Sequence, residues 1–340
     1  MDEITEIFFQ LLKKAESNKL NWTPSLNSFL QFFIGSVGNL NTGMSEVPEN
    51  PEKVLKHLIE YEKKRDKVFD NKDLRASLEK IFGHKRLKQE IPESKLDKKK
   101  DVEHPVRFDW RDVHGKNYVS RVKLQGFCNS CASFGVISTI ETTARFEKKI
   151  HVTAKNETSV LDLSEQQLFF TNDSYPEKCS CEKGWFIEDA LDFSLDVGIV
   201  PEAIYNYNPF NPFFKPPIAN LPKGWQKKVT KISGYTAYTD NERMKHHLST
   251  KGPLVASIDM YYDFLFYSKG VYSHFIDDLI GGHCVSCIGY DDDKGAWLCK
   301  NSWGEQWGEG GYFWVKYGDS KIDDEMWGID GFSEIYLPDK

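Results

Sequence analysis

The chain has 340 residues, 40% of them hydrophobic and 14% aromatic, which is enough apolar material for a substantial core and for two domains. Its net charge of −7 leaves no basic face to neutralise phosphates, which argues against a nucleic-acid-binding role. Charge is uneven: residues 1–104 hold 19 basic and 18 acidic side chains, and the remainder holds 25 and 33. No run approaches the roughly 18 consecutive apolar residues of a membrane span. The N-terminus, Met1-Asp2-Glu3-Ile4-Thr5-Glu6, is acidic where a secretory signal would be basic. The chain is therefore expected to remain inside the cell or to lack a leader already removed.

Along the chain, the first ninety residues read as helical. Ile4, Ile7, Phe8, Leu11 and Leu12 share one helical face, and an apolar stretch follows from Leu26 to Ile34. A third helix is predicted from Pro51 to Val68, and a fourth opens at Asp73, a suitable N-cap. Lys88 to Glu103 has the composition of a linker and is a natural site for proteolytic nicking. Beyond it, a helix is predicted over Cys131 to Glu147, with Phe134, Ile137, Ile140 and Ala144 inward, and Ser164 caps another helix. Residues 208–224 contain five prolines and read as an irregular crossover. Strands are predicted at Leu254–Asp259, Val285–Tyr290, Ala296–Lys300 and Tyr312–Lys316. Helices first and strands later imply an α+β arrangement of two subdomains with a cleft between them.

The chemistry concentrates in three places. Gln125-Gly126-Phe127-Cys128-Asn129-Ser130-Cys131-Ala132 puts a cysteine where a turn becomes a helix. Unpaired N–H groups and the helix dipole there favour a thiolate. Gly281-Gly282-His283, 152 residues past Cys131, supplies a base at the mouth of a strand. Asn301-Ser302-Trp303-Gly304 supplies an amide to orient that base. Gln125 and the Cys131 N–H could together hold an oxyanion. A lone cysteine, histidine or asparagine is usually structural, but the combination is much rarer by chance.

Order, spacing and flanks resemble the papain-like cysteine proteases over residues 104–338. Pro105-Val106-Arg107-Phe108-Asp109-Trp110-Arg111, Leu163-Ser164-Glu165-Gln166-Gln167-Leu168, and Trp307-Gly308-Glu309 carry the resemblance beside the site itself. It implies a papain-like fold with a helical left and a β-barrel-like right subdomain. It also implies Cys131 as nucleophile, His283 as general base and acid, Asn301 as orienter and Gln125 as oxyanion donor. Trp303 would shield the Asn301–His283 hydrogen bond. Gly184 would grip the substrate backbone and Phe332 would line the pocket for the residue two before the cut bond. A bridge between Cys128 and Cys181 is also implied, worth about 2–4 kcal/mol. The family's two other bridges look absent, with Thr171 and Trp327 at those positions.

Two departures stand at the site: Asn129 replaces the family's usual glycine, and Ala132 replaces a large aromatic. Cys179, Cys284, Cys287 and Cys299 are left without an assigned partner. Zinc is disfavoured because positions 284 and 287 on a strand face opposite ways, and His246-His247 reads as a solvated pair on a surface helix. Neither metal nor cofactor is expected. The resemblance thus implies a monomeric cysteine endopeptidase acting on a peptide or protein, with neither nucleic acid nor membrane as partner. A silent protease-like binding protein, or a ligase using the same acyl chemistry, remain the alternatives. Residues 1–103 are expected to be an inhibitory prosegment or, alternatively, an unrelated helical domain.

Overall fold

The computed structural model describes residues 10–15, 17, 20–25, 91–96, 103–126, 128–171, 181, 183–208 and 221–338. The helices expected around Leu26–Ile34, Pro51–Val68 and Asp73 lie outside the described residues. In chain order the longer elements are β1 (Trp22–Pro24), β2 (Arg107–Asp109), α1 (Cys131–Glu147), α2 (Glu165–Phe170), α3 (Ile187–Asp196), β3 (Lys231–Tyr238), α4 (Asn241–Thr250), β4 (Leu254–Tyr261), β5 (Tyr267–Tyr272), β6 (Leu279–Asp291), β7 (Ala296–Lys300), β8 (Tyr312–Lys316) and β9 (Met326–Glu334). The strands form one sheet in the order β1-β5-β8-β7-β6-β4-β9-β3, with β2 added to β6. Every pairing is antiparallel except β5 with β8.

The α+β expectation holds, and two apolar cores explain why. One is built on the sheet from Phe264, Tyr267, Trp297, Trp307 and Phe313. The other gathers Phe134, Ile137 and Ile140 of α1 with Leu168 of α2 and Ala190 and Leu191 of α3. α1 lies between these layers and packs on β6, so Ala132 through Arg145 are all buried, polar residues included. Its polar side finds partners: Thr139 and Ser286 hydroxyls meet at 2.9 Å. Gly135 lets helix and strand close, since a Cβ there would lie 2.6 Å from Cys284 Sγ. Ser164 caps α2 as expected, its hydroxyl accepting the Gln167 N–H at 3.0 Å.

Several elements depart from the sequence reading. β6 is far longer than predicted, because β4 and β7 pair along most of it. β3 and β9 pair with each other and were not foreseen from their short, glycine-interrupted patterns. The polar linker is partly docked: Ile91 and Leu96 pack on the helical core, Leu96 bridges Ala237, and the Lys95 ammonium sits 3.7 Å over the Tyr235 ring. His247 is no solvated residue. It is 1% exposed, shares a 2.9 Å hydrogen bond with the Tyr238 hydroxyl, and burial lowers its pKa to about 3. Among the described residues no helix is long and apolar enough to cross a membrane, and no cluster suits a metal ion.

Candidate active site

Cys131 is the first residue of α1, where the earliest N–H groups of a helix have no intrahelical partner. The turn before it is held from three sides. Cys128 is bonded to Cys181, so the turn is tied to a loop 53 residues away. The Asn129 backbone and side-chain N–H groups both donate to the Cys181 carbonyl, at 3.2 and 2.5 Å. The Tyr207 hydroxyl pairs with Ser130 Oγ at 2.9 Å and donates to the Gln125 carbonyl at 2.8 Å. Asn129 thus spends its amide on the loop that also carries Gly184, a buried residue with φ +76°.

The segment bearing Gln125 runs beside the one bearing Asn301. Gln125 N–H donates to the Ser302 carbonyl at 2.8 Å, Leu124 bridges Trp303, and Gly304 N–H reaches the Lys123 carbonyl at 3.1 Å. The Gln125 side chain is 3% exposed and doubly held: Ser302 Oγ donates to its Oε1 at 2.6 Å, and its Nε2 donates to the Cys128 carbonyl at 2.9 Å. The same nitrogen carries a second N–H donor.

His283 and Asn301 meet as the sequence predicts, with Nε2 to Oδ1 at 2.8 Å and exposures of 4% and 2%. Asn301 Oδ1 also accepts the Ser302 N–H at 2.7 Å. An amide NH2 could not face that donor, so the oxygen assignment is settled by chemistry. His283 Nε2 must then be the donor, which leaves Nδ1 as the basic nitrogen. The Trp303 ring covers the pair, its centroid 4.8 Å from the imidazole, and is held in turn by Phe264 and Trp307.

Burial shifts both titrating groups. It pushes the Cys131 thiol up, against backbone hydrogen bonds at Cys284, Ala132 and Cys131 itself. It lowers His283 to about 4, against the Asn301 hydrogen bond. Desolvation therefore outweighs the helix-terminus effect on the Cys131 thiol. Phe332 lies on β9 opposite Ile232, half-buried, and packs on the same apolar cluster as Cys131. Ala132 is 1% exposed in that cluster, which closes around its small side chain.

Behind the site lies a buried ionic cluster. Lys123 Nζ contacts Asp162 at 2.7 Å and Glu165 at 2.8 Å, with Glu141 at 3.8 Å. Lys300 Nζ donates to Ser120 Oγ at 3.0 Å, and Ser120 donates to Glu141. A small cavity lined by Lys123, Ser138, Glu141, Glu165 and Lys300 opens against Asn301 and Ser302. Sequence reasoning missed this cluster, and it missed Ser302 and Tyr207 as holders of the site. The signal available was position alone: Lys300 and Ser302 flank Asn301, and Lys123 precedes Gln125 by two.

The comparisons with known proteins bear on the family and the fold. The model of the papain family cysteine proteases matches residues 104–331. A cathepsin L-like proteinase of Fasciola hepatica is 31% identical over 214 residues, covering 61% of this chain and 59% of the relative. The viral cathepsin of Adoxophyes honmai nucleopolyhedrovirus is 34% identical over 226 residues, 65% of this chain and 60% of its own. The match thus spans about 60% of these curated relatives' length. Among solved structures, the digestive procathepsin L2 of Tenebrio molitor larval midgut superposes with a TM-score of 0.63 over 96% of this chain and 89% of its own, at 24% identity, which bears on the fold. With the family match covering two-thirds of the chain and the fold agreeing, the chain belongs to the papain family of cysteine proteases.

Proposed function

We propose that the protein is a cysteine endopeptidase made as a latent precursor. The observation that carries this reading is the covered His283–Asn301 hydrogen bond, whose donor sense leaves Nδ1 basic. In this reading Cys131 Sγ attacks the scissile carbonyl as its proton passes to His283 Nδ1. The tetrahedral oxyanion is held by the Gln125 side chain and the Cys131 N–H, His283 returns the proton to the leaving amine, and water releases the acid from the thioester. Gly184 and Phe332 serve substrate binding, the latter favouring medium-sized apolar side chains.

Latency is supported by how the N-terminal region docks. β1 adds an antiparallel strand to β5, with Val271 N–H donating to the Asn21 carbonyl at 2.9 Å. Trp22 is 3% exposed, its ring 5.4 Å from that of Tyr272, and its indole N–H donates to the Ser273 carbonyl at 3.0 Å. Leu11 is fully buried in the sheet core. A loosely tethered domain would leave such side chains in water.

The test is intact-mass analysis of the full-length protein after exposure to an epoxysuccinyl thiol probe, before and after limited proteolysis within residues 88–103. A Cys131→Ser variant serves as control. Stoichiometric labelling that needs Cys131 and rises after cleavage is expected. Equal labelling before and after would remove the inhibitory role. No labelling of either folded form would leave a silent binding protein.

A further inference from the structure

β6 carries His283 and β7 runs directly towards Asn301, so whatever fixes these two strands also fixes the base against its orienter. Two thiols stand opposite each other between them. Cys287, four residues past His283, is the register partner of Cys299, two residues before Asn301. Opposed residues of an antiparallel pair have Cα atoms about 4.5 or 5.5 Å apart, according to their hydrogen bonding. Either separation falls within the roughly 4.4–6.8 Å that a disulfide spans. Opposed side chains also leave the sheet on one face. Both thiols enter the same apolar core, each 0% exposed, with Cys287 near enough to raise the Cys299 pKa, while the Cys287 thiol donates to the Gly289 carbonyl at 3.5 Å. Cys284 faces the other way and joins the helical core, so it does not compete for either partner.

We propose that Cys287 and Cys299, both thiols in this structure, are closed by oxidation into a second disulfide that staples the His283 strand to the Asn301 strand. Glutathione disulfide is a sufficient oxidant. One cysteine thiolate attacks it and releases one glutathione thiolate; the partner thiolate then displaces the second glutathione from the mixed disulfide. Two thiol protons leave, two electrons pass to the oxidant, and one sulfur–sulfur bond forms. An environment that closes Cys128–Cys181 supplies the same chemistry. Burial holds the Cys299 thiol well above its ordinary value and seals both sulfurs from solvent. Exchange therefore belongs to the stage when β6 and β7 assemble, and the finished bridge is out of reach of reductants.

The full-length chain is unfolded, refolded in a glutathione redox buffer, then unfolded again without reductant while remaining thiols are trapped with a maleimide. Peptide mapping by mass spectrometry is expected to find Cys287 joined to Cys299. Maleimide on both, in molecules whose Cys128–Cys181 bridge is closed, overturns the proposal. A Cys287→Ala/Cys299→Val variant keeps the core apolar and separates bond from packing. Its Tm is expected to fall by roughly 5–10 °C against wild type after oxidative refolding. That gap should close when both proteins are refolded and measured in reductant; an equal gap under both conditions also overturns the bridge. The peptide map reads the bond whether or not the protein cleaves peptides.

Discussion

Asn301 receives two donors on one oxygen, His283 Nε2 and the Ser302 N–H, and has no alternative orientation that satisfies both. The adjacent Ser302 hydroxyl holds Gln125, so two consecutive residues fix both the His283 ring and the Gln125 side chain. Asn301→Ala should lower kcat/KM by roughly 10²-fold, the scale of a misaligned general base. Its pH profile should also move in a set direction. His283 must be neutral to take the thiol proton, so the wild-type acid limb is expected near pH 4. The Asn301 hydrogen bond raises the His283 pKa against burial, so its loss moves the limb to lower pH. A limb that moves upward in steady-state measurements would contradict this assignment. Cys131, His283, Asn301 and Gln125 stood out in the sequence because each residue type is bound to its chemistry. Asn129 was legible only as a departure. Its bonds to the Cys181 carbonyl depend on a loop that only the folded chain brings near.

At the scale of elements, the α1–β6 contact holds Cys131 on one element and His283 on the other. Gly135→Ala forces a methyl group within 2.6 Å of Cys284 Sγ and near the Val285 carbonyl. Overpacking of this kind costs about 1–3 kcal/mol, which denaturant unfolding would register as a lower midpoint. Adding Cys284→Ala should recover much of that loss, because it removes the nearest clashing atom. The β1–β5 pairing carries a different prediction. Trp22→Ala removes a buried indole from between Tyr267 and Tyr272, at a cost on the order of 2–3 kcal/mol. If the N-terminal region masks the site, labelling of uncleaved protein should rise by about 100-fold, while the cleaved form is unchanged. Unchanged labelling of the uncleaved variant would separate docking from inhibition. α1 was legible because its large apolar residues recur at helical spacing, and β7 because it is a short, mostly apolar run buried on both faces. The sequence did not reveal β1, whose three residues have no pattern of their own and are strand only because β5 offers an edge.

At the scale of the whole molecule, the ionic cluster around Lys123 lies against the helical core and the sheet at once. One lysine faces Asp162, Glu165 and Glu141, so burial and the excess of carboxylates favour a protonated acid. Burial raises Glu165 from 4.5 to about 8, against the attraction of Lys123. Between those values the folded state binds more protons than the unfolded, so stability falls as pH rises from about 4.5 to about 8. Glu165→Gln keeps an oxygen for Lys123 and carries no titratable charge. Its stability, followed by urea unfolding across that range, should decline less steeply than wild type. A parallel decline would place the pH dependence elsewhere.

The sequence by itself determined the family, the α+β class and the Cys128–Cys181 bridge, and it singled out Cys131, His283, Asn301 and Gln125 as the proposed site. Those features rest on local chemistry: a cysteine at a helix start, a histidine opening a strand, an amide beside a tryptophan. Only the tertiary structure decided the tautomer of His283, the core role of His247, and the meeting of Cys287 with Cys299. Each of these depends on desolvation or on register between strands, and both arise only when distant segments pack together.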